Sequence, residues 1–434
     1  MYNKSNFVCC AVIFLLSLTT TFAQNNTNSP YTRFGYGELV DVGLTKHKSM
    51  GGVAFGSRSS LGINPANPAA YTSIDSLTFL FEFGAGGRIS HFSQAGGLQK
   101  TAFTGNIDYI ALAFPITRWM AASVGLLPLS FSGYNFAMQD TVWMRNISQT
   151  GYLHRQSFTG AGGFNQVYLG LSAKFLKHIA IGVNVSYMFG NLNNTQTVTY
   201  DTISHTISPL PLPLSSSRIS TLSANSIKLR YGLQAFHTFK NAHTLTVGGI
   251  FEMKSNLRGT HQIIRQTYDA SNRITDADTI TNPDKKGCEI PMIYGVGATY
   301  SYKNRLTIGA DFQQQFWNDV KYFGVKDTLR NRMKIAIGGE YRHNPLSKNF
   351  LERMVFRLGA NYATPYIHKS GNVGDINVSL GVGIPFRSNR SFLNIGFEYG
   401  KMGSSAKNLI REDYFKISIG ASLNEFWFFK RRFE

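Results

Sequence analysis

Cysteine, acidic charge and long apolar runs are what this sequence has little of. Only 3 Cys occur in 434 residues. Two of them, Cys9 and Cys10, fall in an N-terminal leader, so only Cys288 remains and no internal disulfide is expected. One Cys cannot make a structural zinc site, and the 10 His show no metal-ligand spacing. Neither a metal nor a cofactor is expected. Acids number 24 against 43 bases, giving a net charge of +19. Past the leader no run approaches the roughly 18 apolar residues of a helical membrane span. H-E-x-x-H, G-x-S-x-G and phosphate-binding loops are missing. The pairs Gly51–Gly52, Gly162–Gly163 and Gly248–Gly249 lack the strand–loop–helix context of a nucleotide fingerprint. No catalytic residue is expected, and the chain does not read as an enzyme.

What is present is glycine and aromatic surface: 42 Gly, 33 Phe and 21 Tyr, with only 15% charged residues. Few charges and many aromatics exclude a disordered chain. Residues 1–23 read as a secretory signal, with Lys4 as the basic end, Phe7–Leu18 as the apolar stretch, and Thr21 and Ala23 before the cut. An exported chain without helical spans can still enter an outer membrane as a closed barrel, in which strands satisfy one another's backbone groups.

From Leu77 onward the sequence repeats runs of alternating apolar and polar or small residues. Ile179, Ile181, Val183, Val185, Tyr187 and Phe189 alternate with Ala180, Gly182, Asn184, Ser186 and Gly190. That is period 2, not 3.6. We count fourteen runs, beginning near Leu77, Asn106, Met120, Asn165, Ile179, Ser226, Thr244, Pro291, Arg305, Met333, Arg353, Asp375, Ser391 and Tyr414. Connections alternate long and short, with long loops expected at 133–163, 191–225 and 255–290. A soluble sandwich would also alternate, but its turns would not sort by parity. The reading is all-β: a transmembrane antiparallel β-barrel of about 14 strands over 77–434, with short periplasmic turns. Residues 24–76 show no sustained alternation yet are rich in apolar side chains, and read as a folded plug.

If the more apolar face meets lipid, the lumen receives Glu82, Asp108, Lys174, Lys228, Arg230, Glu252, Asp311, Lys334, Glu340, Arg357, Glu398 and Lys416. Six acids and six bases suit paired networks in a narrow lumen better than an ion-selective pore. The short turns and the C-terminus carry thirteen bases, among them Arg118, Lys177, Lys240, Lys303, Arg305, Arg342 and Arg353, against Glu352 and Glu434, a net +11. Such a rim anchors strand ends at lipid phosphates or docks an acidic partner. In the third run Gly125 and Pro128 should bend the strand, because proline supplies no ladder amide and a closed barrel has no free edge. The bend is either a simple bulge or an opening in the wall. Cys288 is expected to be an unpaired loop thiol beside Lys285 and Lys286, replaceable by Ser without effect.

Fourteen strands, together with Asn64-Pro65-Ala66 and the repeated triplet Asn67-Pro68-Ala69 in SLGINPANPAAY, resemble the FadL-type outer-membrane transporter family. The piece SPYTRFGYGELVD, followed by Met50-Gly51-Gly52, is similar to the opening of a Bacteroidota subgroup. The resemblance implies a barrel closed by an N-terminal hatch that carries the Asn-Pro-Ala motif. It implies passive uptake of small hydrophobic molecules, with lateral release through a kinked third strand. Some barrels of this kind are instead non-transporting subunits of outer-membrane protein assembly or secretion complexes. The expected surroundings are outer-membrane lipid and lipopolysaccharide. Hydrophobic cargo and protein partners at the periplasmic rim or external loops are both open, and nucleic acid is not implied.

Overall fold

The computed structural model describes residues 27–426 apart from 95–96, 98, 144–150, 203–212, 241, 285–286, 327–328, 346, 368–373, 387–389 and 404–409. The expected leader lies outside the described residues. Fourteen long strands form the barrel. They are β2 (Thr78–Gln94), β3 (Gln99–Pro115), β4 (Met120–Trp143), β5 (Gly151–Phe175), β6 (Ile179–Thr202), β7 (Ser215–Phe239) and β8 (His243–Glu252). After an excursion come β13 (Ile293–Tyr302), β14 (Leu306–Gln315), β15 (Arg332–Arg342), β16 (Val355–Ala363), β17 (Asp375–Pro385), β18 (Phe392–Met402) and β19 (Ile410–Phe426). All neighbours are antiparallel. β19 pairs with β2 from Ile410↔Gln94 to Phe426↔Thr78 and closes the ring.

The alternation has a direct physical cause. Phe103, Ile107, Leu169, Ile181, Ile227, Ile337, Leu358 and Leu380 point outward and are exposed. Lipid is their solvent. Their sequence neighbours turn into the lumen, where they are largely buried against the N-terminal segment. No described helix is long and apolar enough to cross a membrane.

Three expected loops are instead strand. β4 to β7 run 24 or 25 residues each, whereas a membrane needs about 9–11 per strand. They stay paired far above the lipid zone, with Trp143↔Gly151 and Tyr152↔Thr202 at their tips. The hairpin β10 (Arg258–Tyr268) and β11 (Ile274–Asp284) continues this sheet, because β10 pairs with the upper part of β7. There both faces are wet or only half-buried, so the apolar/polar contrast that reveals a membrane strand disappears.

The N-terminal segment lies inside the ring. It contains a two-residue strand β1 (Glu38–Leu39), a one-turn helix at Thr45–Lys48 and a 3-10 turn at Pro68–Ser73. Two more two-residue strands, β9 (Ser255–Asn256) and β12 (Glu289–Ile290), pair with each other between β8 and β13.

Candidate functional site

The site is the lumen, and it is built from glycine. The N-terminal segment follows the inner wall strand by strand, in reverse chain order. Thr45 lies against Gly420, Ser49 against Gly396 and Gly381, and Met50–Gly51 against Gly359 and Gly338. Val53 meets Gly309, Phe55 meets Gly295 and Gly248, Asn67–Pro68 meet Gly232 and Gly182, and Tyr71 meets Gly170. These eleven glycines occupy eleven successive strands, from β19 through β13 and from β8 to β5. Several are direct cross-strand partners, as are Gly359↔Gly338 and Gly232↔Gly182. A Cβ at Gly338 or Gly359 would strike the Met50–Gly51 backbone. The segment can approach so closely only because the wall lacks side chains there.

The two Asn-Pro-Ala triplets make the turns of this path. Asn64 and Asn67 each accept, through Oδ1, the amide two residues on, at 3.2 and 3.1 Å. The same side chains donate to Ala54 O and Phe55 O at 2.7 and 2.8 Å. The carbonyls of Pro65 and Ala66 accept from Asn184 and Arg230 of the wall, at 3.1 and 3.2 Å. Pro68 opens the 3-10 turn, and Ala69 is fully buried.

Charged side chains fix the segment between the turns. Glu82 accepts the Ile63 amide at 2.6 Å, and Asp311 accepts those of Ala54 and Phe55 at 2.6 and 2.8 Å. Asp108 pairs with Lys48 at 2.8 Å, and Lys334 with Asp41 at 2.5 Å. Arg357 pairs with Glu340 at 2.7 Å, which Lys46 approaches at 3.7 Å. Glu252 holds Lys228, at 2.9 Å, and Arg230. Glu398 and Lys416 line a cavity together with Asp41, Lys48 and Asp108. Lys174 stands apart near a periplasmic turn, 5.6 Å from the Phe236 ring that Arg58 also covers at 4.0 Å.

Other participants escaped the sequence reading. Arg88 joins Glu38 and the buried Glu412 at 2.5 and 2.6 Å. Arg88 and Glu412 share the lumen parity of Glu82 and Lys416, so the period-2 rule could have found them. Glu38, Asp41, Lys46 and Lys48 could not be found, because the segment has no period. His47 is buried inside the one-turn helix. Burial first, then Lys46 and Arg357, push its pKa down to about 3 against the pull of Glu340. Its Nδ1 has no hydrogen-bond partner among the described residues.

The outer end of the lumen is filled by aromatic side chains. Tyr36, swung inward between Gly35 and Gly37 at positive φ, packs on Phe164, Trp317 and Tyr322 at 6.2, 5.7 and 5.2 Å. Its hydroxyl donates to Glu289 O at 2.9 Å. Cys288 belongs to this core and is only 1% exposed. Cys288 is in no disulfide, as expected, but its burial under Tyr36 makes it a packing residue, so the expectation that Ser replaces it without effect is corrected. Between segment and wall lie cavities of about 170 and 80 Å³, lined by Asp41, Lys48, Glu398 and other charged groups. A third, of about 380 Å³ toward the periplasmic turns, is lined by Arg58, Glu340, Arg342 and Arg357 among others. All three place charged side chains on an otherwise mainly apolar lining, whereas sites for small hydrophobic molecules carry few polar groups.

The wall itself has a seam. β3 pairs with β4 only from Pro115↔Ala121 to Ile110↔Leu126. At Gly125, a Cβ would hit Ile110 O and the Tyr168 ring. Opposite β5 the register shifts between Pro128 and Ser130. Above Leu126 the freed edge of β4 turns to the N-terminal segment. Glu38↔Phe131 and Leu39↔Ser130 pair, and Val40 N donates to Leu129 O at 2.9 Å. Thr32 exchanges two hydrogen bonds with Gly133.

The same fold occurs in solved channels. The Ralstonia pickettii toluene transporter TbuX superposes with a TM-score of 0.57 at 16% identity, covering 88% of this chain and 98% of its own. A Pseudomonas aeruginosa FadL homologue gives 0.55 at 15% identity, covering 90% and 100%. The CymD monoaromatic hydrocarbon channel gives 0.56 at 13%, covering 90% and 98%. These likenesses establish a FadL-type fold, and the protein is an outer-membrane β-barrel. The family model described as BamG matches residues 3–434. No curated protein matches the chain.

Proposed function

Because the chain belongs to the BamG family, which is not that of the hydrocarbon channels sharing its fold, we propose that it is a non-transporting accessory subunit of an outer-membrane protein assembly or secretion complex. The observation that carries this reading is the filled lumen. Residues 27–76 act as a fixed plug, seated on eleven glycines and held by ion pairs to the wall. Tyr36 of this segment and its aromatic neighbours from the wall and loops fill the outer end of the lumen. A transporter of hydrophobic molecules needs a continuous apolar path, and here ion pairs and tight aromatic packing interrupt it. The basic periplasmic rim, including Arg118, Lys177, Lys240, Lys303 and Arg305, offers a face for an acidic partner. Purification of the tagged chain in mild detergent tests the reading. Stoichiometric partner proteins are expected, and a lone barrel would count against it.

The β3–β4 seam favours a second reading: uptake of small hydrophobic molecules with lateral release at Gly125 and Pro128. In that case the charged cavities would have to widen and the plug would have to move. Saturable binding of toluene or a fatty acid by the purified barrel would support it.

A further inference from the structure

β11 (Ile274–Asp284) is the last strand of the sheet that stands above the membrane. It pairs along its length with β10, from Gly259↔Asp284 to Tyr268↔Ile274. Among the described residues no strand pairs with its other edge. Residues 271–279 are all exposed. At about 3.3 Å per residue, eleven residues present some 35 Å of unpaired backbone donors and acceptors. Natural proteins blunt such edges by shortening or covering them, or with charge and proline; this one is long and uncovered, its proline stands only at the far end, at Pro283, and its charges are all acidic.

We propose that this edge is a docking strand for an extended, cationic segment of another protein exposed at the cell surface. The inference rests on the accessory-subunit reading and names the kind of partner that reading requires. The occupant follows from charge. The strand ITDADTITNPD holds three Asp and no base, in a chain of net charge +19. On the neighbouring strand Arg265 stands directly opposite Asp278 while Asp276 faces Thr267; Arg258 lies at the far end of that strand, and Asp269 and Arg273 are in the turn. Asp276 and Asp278 are exposed. A second copy of the chain would set acid against acid across the new ladder, which disfavours self-pairing. A strand carrying Lys or Arg would gain both the ladder and the ion pairs. This is strand addition, in which backbone bonds give affinity and side chains give choice.

The test uses the purified full-length barrel, amide exchange over 274–284, and two peptides of alternating Val with either Lys or Glu. The Lys peptide should slow exchange across the strand, and the Glu peptide should not. The double change Asp276→Lys and Asp278→Lys should reverse that preference without disturbing the barrel, since both side chains lie far above it. Equal protection by both peptides, protection by neither, or protection that rises with protein concentration alone would overturn the proposal. Co-purifying partners without protection by the Lys peptide would remove the docking edge and leave the accessory reading. Protection without any co-purifying partner would do the reverse.

Discussion

Gly359 and Gly338 face one another across β16 and β15, and the Met50–Gly51 backbone fills the space in front of them. Gly359→Val should therefore unseat the N-terminal segment while the barrel still closes. The cost should equal or exceed the ~1–3 kcal/mol typical of overpacking, since backbone cannot give way as a side chain does. Limited proteolysis should cut residues 27–76 in this variant and spare them in the parent. Gly339 supplies the control. It faces outward, with only ordinary contacts near 3.4 Å, so Gly339→Val should leave the segment protected.

His47 gives the seating a pH dependence. Its pKa falls from about 6.5 in a free chain to about 3 here. A lowered pKa means that the free segment binds the proton more readily. The stabilisation is thus complete above pH 6.5 and is lost as pH falls toward 3. The span limits the effect to about 5 kcal/mol, at 1.36 kcal/mol per unit. Protection of the amides of residues 45–52, measured against the free-chain exchange rate at each pH, should fall between pH 6.5 and 4, and the fall should be absent in His47→Gln. For Cys288→Ser, buried beneath Tyr36, thermal unfolding should show a loss of about 1–2 kcal/mol from placing a hydroxyl in an aromatic core. An unchanged melting curve would place Cys288 outside the core that Tyr36 organises.

At the scale of elements the seam is the informative feature. β4 exchanges β3 for β1 at Leu126, so the two-residue strand does the work that a wall strand does elsewhere. Val40→Pro would remove the donor to Leu129 O, worth roughly 1 kcal/mol, and its ring restrains the neighbouring Leu39. Exchange at Ser130 and Phe131 should rise in this variant, with β4–β5 pairing unchanged. If exchange there stays slow, β1 is not what seals the seam.

The same region shows what the sequence discloses. Gly125 and Pro128 announce trouble in a ladder by their own chemistry, and the fourteen alternating runs follow from lipid on one side and lumen on the other. The upper halves of β4 to β7 and the β10–β11 hairpin were invisible, since Thr, Ser and Asn in water alternate no signal. The expectation of lumen charges came from parity alone. Their partners Asp41, Lys46 and Lys48 were not legible, because an aperiodic segment gives no phase. The glycine belt was written in the sequence as mid-run Gly on the lumen parity, but glycine alone does not say what approaches it. Tyr36, Trp317 and Tyr322 meet only through long-range closure.

For the whole molecule, every large structural expense points to immobility. An inner segment wraps most of the ring, ion pairs tie it to β2, β3 and β15, and an aromatic cluster fills the outer end. The proposed accessory subunit would work through its surfaces: lipid-facing wall, basic rim and the sheet above the membrane. The most direct measurement is to deplete the chain in its own cell and follow two quantities together. One is the abundance of other outer-membrane β-barrels, and the other is uptake of a labelled hydrophobic compound. An accessory subunit predicts that other barrels fall first while uptake per cell follows them. Loss of uptake with an unchanged complement of barrels would contradict the account and establish the transporter.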